Sequence, residues 1–203
     1  MLNRRALLRR AAVLTGGALA APLALGVLQS CERDAAAGTA FEPQYFTREE
    51  ADFISAYVDT LLPRTDTPGG LDVGVDRFID RVMAATAGPR PAQPEGMTAD
   101  ILAFDDAARA KYGRPFAQLT TGERGERFAA AEQRSARYNP QVWGTTVGEQ
   151  PPVDFYRSFK SFVLWGYLSS ETIGTEVLNY DPVPGAYDGD IALASVGGRA
   201  WSL

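Results

Sequence analysis

The sequence predicts an all-α protein: a single small helical domain with long loops and an extended C-terminal strap, following a cleaved N-terminal signal. Three observations predict it. Apolar residues recur with the 3.6-residue period of a helix in one segment after another. Two Thr-x-x-Glu patterns, Thr47 to Glu50 and Thr120 to Glu123, stand just before such segments and read as capping boxes. No apolar–polar alternation of useful strand length occurs, and stretches rich in Pro and Gly separate the helical segments.

Residues 1–30 come first. Arg4, Arg5, Arg9 and Arg10 fall within the first ten positions, no acidic residue occurs before Glu32, and Ala11 to Leu28 carries no charge. A basic region followed by an apolar one is the layout of a secretory signal. Asn3-Arg4-Arg5-Ala6-Leu7-Leu8-Arg9 resembles the twin-arginine pattern through Arg4, Arg5 and Leu8. That route carries proteins already folded. A permanent anchor is the weaker reading, because 18 uncharged residues sit at the lower limit for a span and Gly16, Gly17, Pro22 and Gly26 interrupt them. Leu28-Gln29-Ser30-Cys31 resembles a lipobox, and Cys31 is the only cysteine in the chain. Lipidation at Cys31 is therefore expected over a cysteine that merely falls in a discarded peptide, and it places the mature protein in the periplasm as a membrane-anchored lipoprotein. Residues 31–44 are small and polar and read as a flexible tether to a helical domain at 45–203.

The first helix opens at Thr47 and carries Ile54, Tyr57, Val58 and Leu61 on one face until Pro63 ends it. Pro63 to Gly70 is a loop by composition. A second helix spans about Val75 to Ala85, with Phe78, Ile79, Val82 and Met83 on its buried side. Residues 88–96 hold three prolines and read as a surface loop. Thr98 to Lys111 forms a third helix, and Thr120 caps a fourth that runs to about Arg137. Residues 139–152 are irregular. The fifth helix, Val153 to about Leu168, is apolar around most of its circumference, so it is either the central helix of the core or a helix that lies against a partner. The tail from Asn179 to Gly185 is extended and rich in turns.

Composition excludes several function classes. Without residues 1–30 the chain has 16 basic against 25 acidic residues, a net charge of −9, which argues against nucleic acid as a partner. There is no histidine, so Ser-His-Asp and Cys-His triads cannot form, and the usual zinc and haem ligands are lacking. No Gly-x-Gly-x-x-Gly follows a strand-like segment. No catalytic, cofactor-binding or metal-binding residue is therefore assigned in this chain. A hydrolase working with carboxylates alone stays open. Asp105-Asp106 and Glu49-Glu50 are the pairs to consider, but neighbours on a helix point in different directions and suit caps and solvated faces better. Arg64 and Asp66 lie in the Pro63–Gly70 loop, which reads more as a helix connection than as a binding loop. Trp165, Tyr167, Tyr180, Pro182 and Pro184 read equally as core packing with a rigid C-terminal strap or as the candidate partner interface, since aromatics in ordered segments make good anchors.

The residues also resemble a known family. Phe46-Thr47-x-x-Glu50-Ala51-x-Phe53-Ile54, Asp59-Thr60-Leu61-Leu62-Pro63-Arg64-Thr65-Asp66-Thr67-Pro68-Gly69, Gly74-Val75-x-x-Phe78-Ile79-Asp80, Trp165-Gly166-Tyr167 and Leu178-Asn179-Tyr180-Asp181-Pro182-Val183-Pro184-Gly185 are together similar to the gluconate 2-dehydrogenase subunit 3 family, over about residues 45–187. The resemblance implies a non-catalytic small subunit. Its expected partners are a large FAD-dependent dehydrogenase subunit of the glucose–methanol–choline type, a cytochrome c subunit in some complexes, and the twin-arginine translocase. FAD is expected in the large subunit and haem in the cytochrome. The small subunit would supply the export signal for its folded partner and stabilise it. A stand-alone periplasmic lipoprotein binding module is the alternative.

Overall fold

A computed structural model describes residues 41–136, 141–142, 145–146, 153–181, 185 and 190–201. Five α-helices carry the domain: α1 (Arg48–Leu61), α2 (Val75–Thr86), α3 (Met97–Tyr112), α4 (Thr121–Arg134) and α5 (Phe155–Leu168). The all-α expectation holds. The additions to it are small. A two-residue antiparallel pair, β1 (Gln141–Val142) with β2 (Thr145–Thr146), sets Gln141 opposite Thr146 and Val142 opposite Thr145. Single helical turns lie at Phe116–Gln118, Ile173–Val177 and Leu193–Val196.

The predicted starts of α1 and α4 are set by complete capping boxes. In each, the threonine hydroxyl accepts from the glutamate N–H, and the glutamate carboxylate accepts from the threonine N–H at 2.8 Å. The exposed Glu123 carboxyl is lowered to about 2 by the N–H and the hydroxyl of Thr120, which both donate to it at 2.8 Å, and by Arg114. α5 begins at an Asp154 cap, whose Oδ1 accepts from the Arg157 N–H at 2.9 Å. α3 ends on Gly113 at φ 74°, a left-handed conformation that glycine adopts without a Cβ penalty.

α1 is the centre of the domain. Phe53, Ile54, Tyr57 and Val58 are at most 1% exposed, and α2, α3, α4 and the Phe116–Gln118 turn all pack around them. The rings of Phe53, Tyr57, Phe104, Phe116, Phe128, Phe155, Tyr156 and Phe159 form one contiguous aromatic cluster. Its internal polar group is satisfied, because the Tyr57 hydroxyl donates to the Tyr156 carbonyl at 3.1 Å. α5, the most apolar helix in the sequence, is therefore not central. It buries one stripe only: Tyr156, Phe159, Val163 and Gly166. Gly166 lets α5 approach α2, since a Cβ there would lie 2.7 Å from Phe78 Cδ1. On α2 the buried side is likewise narrower than expected. Val75 and Ile79 are fully buried together with Asp76 and Asp80, while Phe78, Val82 and Met83 are half-buried.

Candidate partner interface

The two flanks of α5 differ in chemistry. On the side toward α4, Lys160 and Arg157 pair with Glu132 at 3.3 and 3.5 Å. Burial opposes the shift, yet Lys160 and Arg157 pull the Glu132 carboxyl below its ordinary value. On the side toward α2, three rings meet. Trp165 lies edge-on to Phe78 with centroids 5.1 Å apart and stacks on Phe162 at 5.9 Å, and Phe78 meets Phe162 at 6.1 Å. Trp165 is nevertheless 54% exposed. Positions four and seven residues before it and four after share its side of the helix, and they are the exposed Ser161, Ser158 and Ser169. An open tryptophan on a ring platform is the type of side chain that anchors interfaces, although the serines around it are a residue type that interface centres are poor in.

The other candidate residues are distributed differently. Tyr167 sits on the opposite flank of α5 and is half-buried, with its hydroxyl donating to the Pro68 carbonyl at 2.8 Å. It ties α5 to the loop after α1. Tyr180 is exposed, just past Asn179. Asn179 holds the C-terminal strap. Its N–H donates to the Ala200 carbonyl at 2.8 Å, and its amide donates to the Val196 and Arg199 carbonyls at 2.9 and 2.8 Å. The strap then presents Ile191, Leu193 and Trp201 to solvent, in a turn-rich tail whose sequence has no period to mark them. Pro182 and Pro184 lie outside the described residues, as do Arg4, Arg5, Leu8 and Cys31.

The Pro63–Gly70 loop is closed on itself. Arg64 pairs with Asp72, not Asp66, and the second Asp72 oxygen accepts from the Gly69 N–H at 2.7 Å. The Arg64 hydrogen bond and the Gly69 N–H together lower the Asp72 carboxyl. A Cβ on Gly69 would meet the Arg64 backbone nitrogen at 2.8 Å, and one on Gly70 would meet Val58 Cγ1 at 2.5 Å, so this tight winding needs both glycines. The loop acts as a helix connection, as its composition implies.

The buried carboxylates are anchors as well. Asp80 accepts from the N–H groups of Gln44, Tyr45 and Phe46 at 2.7 to 3.1 Å and fastens the entering chain to α2. Glu50 adds an ion pair to Arg90 at 2.9 Å. Asp105 accepts from the Phe116 N–H at 2.6 Å and from Arg109 at 2.9 Å. Their sequence neighbours Glu49 and Asp106 are exposed, so each acidic pair splits into one anchor and one solvated group. A cleft of about 450 Å³ runs beside α1 and includes Glu49, Asp52, Asp59 and Asp105. Asp59 is taken by Arg124 at 3.5 Å and Asp105 by Phe116 and Arg109, which leaves Glu49 and Asp52 one turn apart on the same helix. Carboxylate catalysis needs two available groups on opposite sides of a substrate, and this cleft offers them on one side. Among the described residues no group of three or more Asp, Glu, Cys or His could hold a metal ion, and no helix is long and apolar enough to cross a membrane.

A family model described as gluconate 2-dehydrogenase subunit 3 matches residues 48–185, which span all five helices and reach the end of the Asn179–Gly185 segment. No curated protein and no solved structure matches the chain.

Proposed function

The chain belongs to the gluconate 2-dehydrogenase subunit 3 family, accessory subunits of a dehydrogenase complex, and on that premise we propose that it binds a folded FAD-dependent catalytic subunit of the glucose–methanol–choline type, exports it by the twin-arginine route and stabilises it at the periplasmic face of the membrane. The observation that carries this reading is the open flank of α5. Trp165 stays 54% exposed although Phe78 and Phe162 have built a platform beneath it. An exposed aromatic group backed by rigid rings loses little side-chain freedom when it docks. The ionic groups around the core support the same reading, since Asp80, Glu50 and Asp105 hold the fold and are not left available for chemistry. The flavin, and any haem, belong to other subunits. Arg4-Arg5 supplies the address and Cys31 the lipid anchor.

Two variants test it. Arg4→Lys combined with Arg5→Lys should hold the catalytic subunit in the cytoplasm, read as loss of dehydrogenase activity from the periplasmic fraction. Wild-type export of active enzyme would refute the escort role. Trp165→Ala should weaken capture of the catalytic subunit by about 2 kcal/mol or more, the size of an interface hot spot, without changing export of the small subunit itself.

A further inference from the structure

α4 carries three carboxylates and three arginines. Every carboxylate is engaged by a cation from elsewhere: Glu123 by Arg114 at 2.6 Å, Glu126 by Lys111 at 3.3 Å and by the Tyr112 hydroxyl at 3.1 Å, and Glu132 by Lys160 and Arg157. Arg124 reaches Asp59 and donates to the Ala117 carbonyl at 2.6 Å. Arg127 and Arg134 have no carboxylate among the described residues. Arg127 is only 7% exposed. Its guanidinium lies over the Phe104 ring, 3.9 Å from the centroid, and its one hydrogen bond is a long one, 3.4 Å, to the Phe104 carbonyl. Its Nε is buried without a partner. Arg134 stands seven residues on, along the same side of the helix, and repels it. Burial first, and then Arg134, pull the Arg127 guanidinium below its ordinary value.

A buried cation without an anion is costly, and a stack on one ring offsets a small part of that cost. In a chain with more acidic than basic residues, two neighbouring arginines with no carboxylate partner among the described residues make a local reversal of charge. Arginine's planar fork suits an oxyanion with two oxygens. We propose that the Arg127–Arg134 edge of α4 is an oxyanion site, filled in the assembled complex by an Asp or Glu side chain of the catalytic subunit. This rests on the subunit reading above. It adds a second, ionic contact on α4, away from the Trp165 flank of α5.

The test uses the full-length chain, alone and co-expressed with the catalytic subunit. Replacing an unpaired buried charge by an apolar side chain of similar volume is neutral or stabilising, so Arg127→Met alone should melt at or above the wild type in potassium chloride. Potassium phosphate at matched ionic strength should raise the wild-type midpoint by ~2–4 °C and leave Arg127→Met unchanged. In the complex, Arg127→Met should weaken retention of the catalytic subunit roughly 30-fold or more, as when one member of a buried interfacial ion pair is lost. Arg134→Gln, a surface change that keeps the fold, should weaken it by less. An Arg127→Met chain that melts far below wild type yet keeps its partner would overturn the proposal and make Arg127 a structural lid on Phe104. Phosphate protection with unchanged partner retention would also overturn it, by making the ligand a free anion. If the wild-type chain captures no catalytic subunit, the subunit reading fails. If wild type and both variants capture it equally, the oxyanion site alone fails.

Discussion

α1 and α5 are both 14-residue helices rich in aromatic and aliphatic side chains, and they meet opposite fates. α1 is surrounded on every apolar side, and its one buried hydroxyl, on Tyr57, finds the Tyr156 carbonyl and is pushed up by desolvation. α5 is the more apolar of the two, yet it buries a single stripe and leaves Trp165 open. A helix's own composition therefore does not decide how deeply it lies. The core takes Tyr156, Phe159 and Val163 from α5 and closes around α1 and the rings of Phe104, Phe116 and Phe128, with Phe155, Phe162 and Tyr167 packed against its edge. Beyond that edge α5 leaves Trp165 as its exposed large apolar side chain.

The sharpest way to break this comparison is to truncate one ring on each helix. Phe53→Ala removes a ring that contacts Tyr57, Phe104, Phe116 and Phe155, and should cost ~3–5 kcal/mol. Trp165→Ala should change the stability of the isolated chain by less than ~1 kcal/mol, because more than half of the side chain is already in water. Urea unfolding of both variants checks the pair. Similar losses would mean that Trp165 belongs to the core after all. A smaller effect is expected at Asp80, which fastens the entering chain alongside α1. Asp80→Asn places an amide donor among three backbone N–H donors and should cost about 2–3 kcal/mol. Proteolysis should then open the chain near Gln44 before it cuts within α1.

Much of this was legible in the sequence, for reasons that are local. The starts of α1 and α4 follow from Thr47 with Glu50 and Thr120 with Glu123, since a capping box satisfies its N–H groups within four residues. The end of α1 follows from Pro63. Periodicity placed Ile54, Tyr57 and Val58 on the buried face. What was not legible depends on partners distant in sequence. Asp80 looks like any helical aspartate until the chain 34 to 36 residues earlier delivers three N–H groups to it. Arg64 has an acidic near neighbour in Asp66, but the turn at Gly69 and Gly70 brings Asp72 to it. Phe78 carries the right period for the core, and only the docking of α5 through Gly166 shows it under Trp165. The aromatic candidates Trp165 and Tyr167 are adjacent but one glycine apart, and helical geometry sends them to opposite flanks.

The smallest expected effect tests the closed flank of α5. Glu132 holds Lys160 and Arg157, and its folded-state carboxyl lies below the ordinary value of 4.5. For a depressed carboxyl the unfolded chain takes up its proton first as pH falls. The contribution to stability is therefore complete above about 4.5 and fades as pH drops below it. Glu132→Gln should lower stability near neutral pH by well under ~1 kcal/mol, since the pair is part-exposed and screened by water. The difference from wild type should shrink toward zero in urea titrations carried down through pH 4 to pH 3. A difference that persists unchanged at low pH would show that the flank is closed by the packing of Lys160 over the Tyr156 ring, 5.6 Å from its centroid, and not by charge. The two flanks would then differ in shape rather than in electrostatics, and Trp165 would owe its exposure to the lack of a covering side chain on α2.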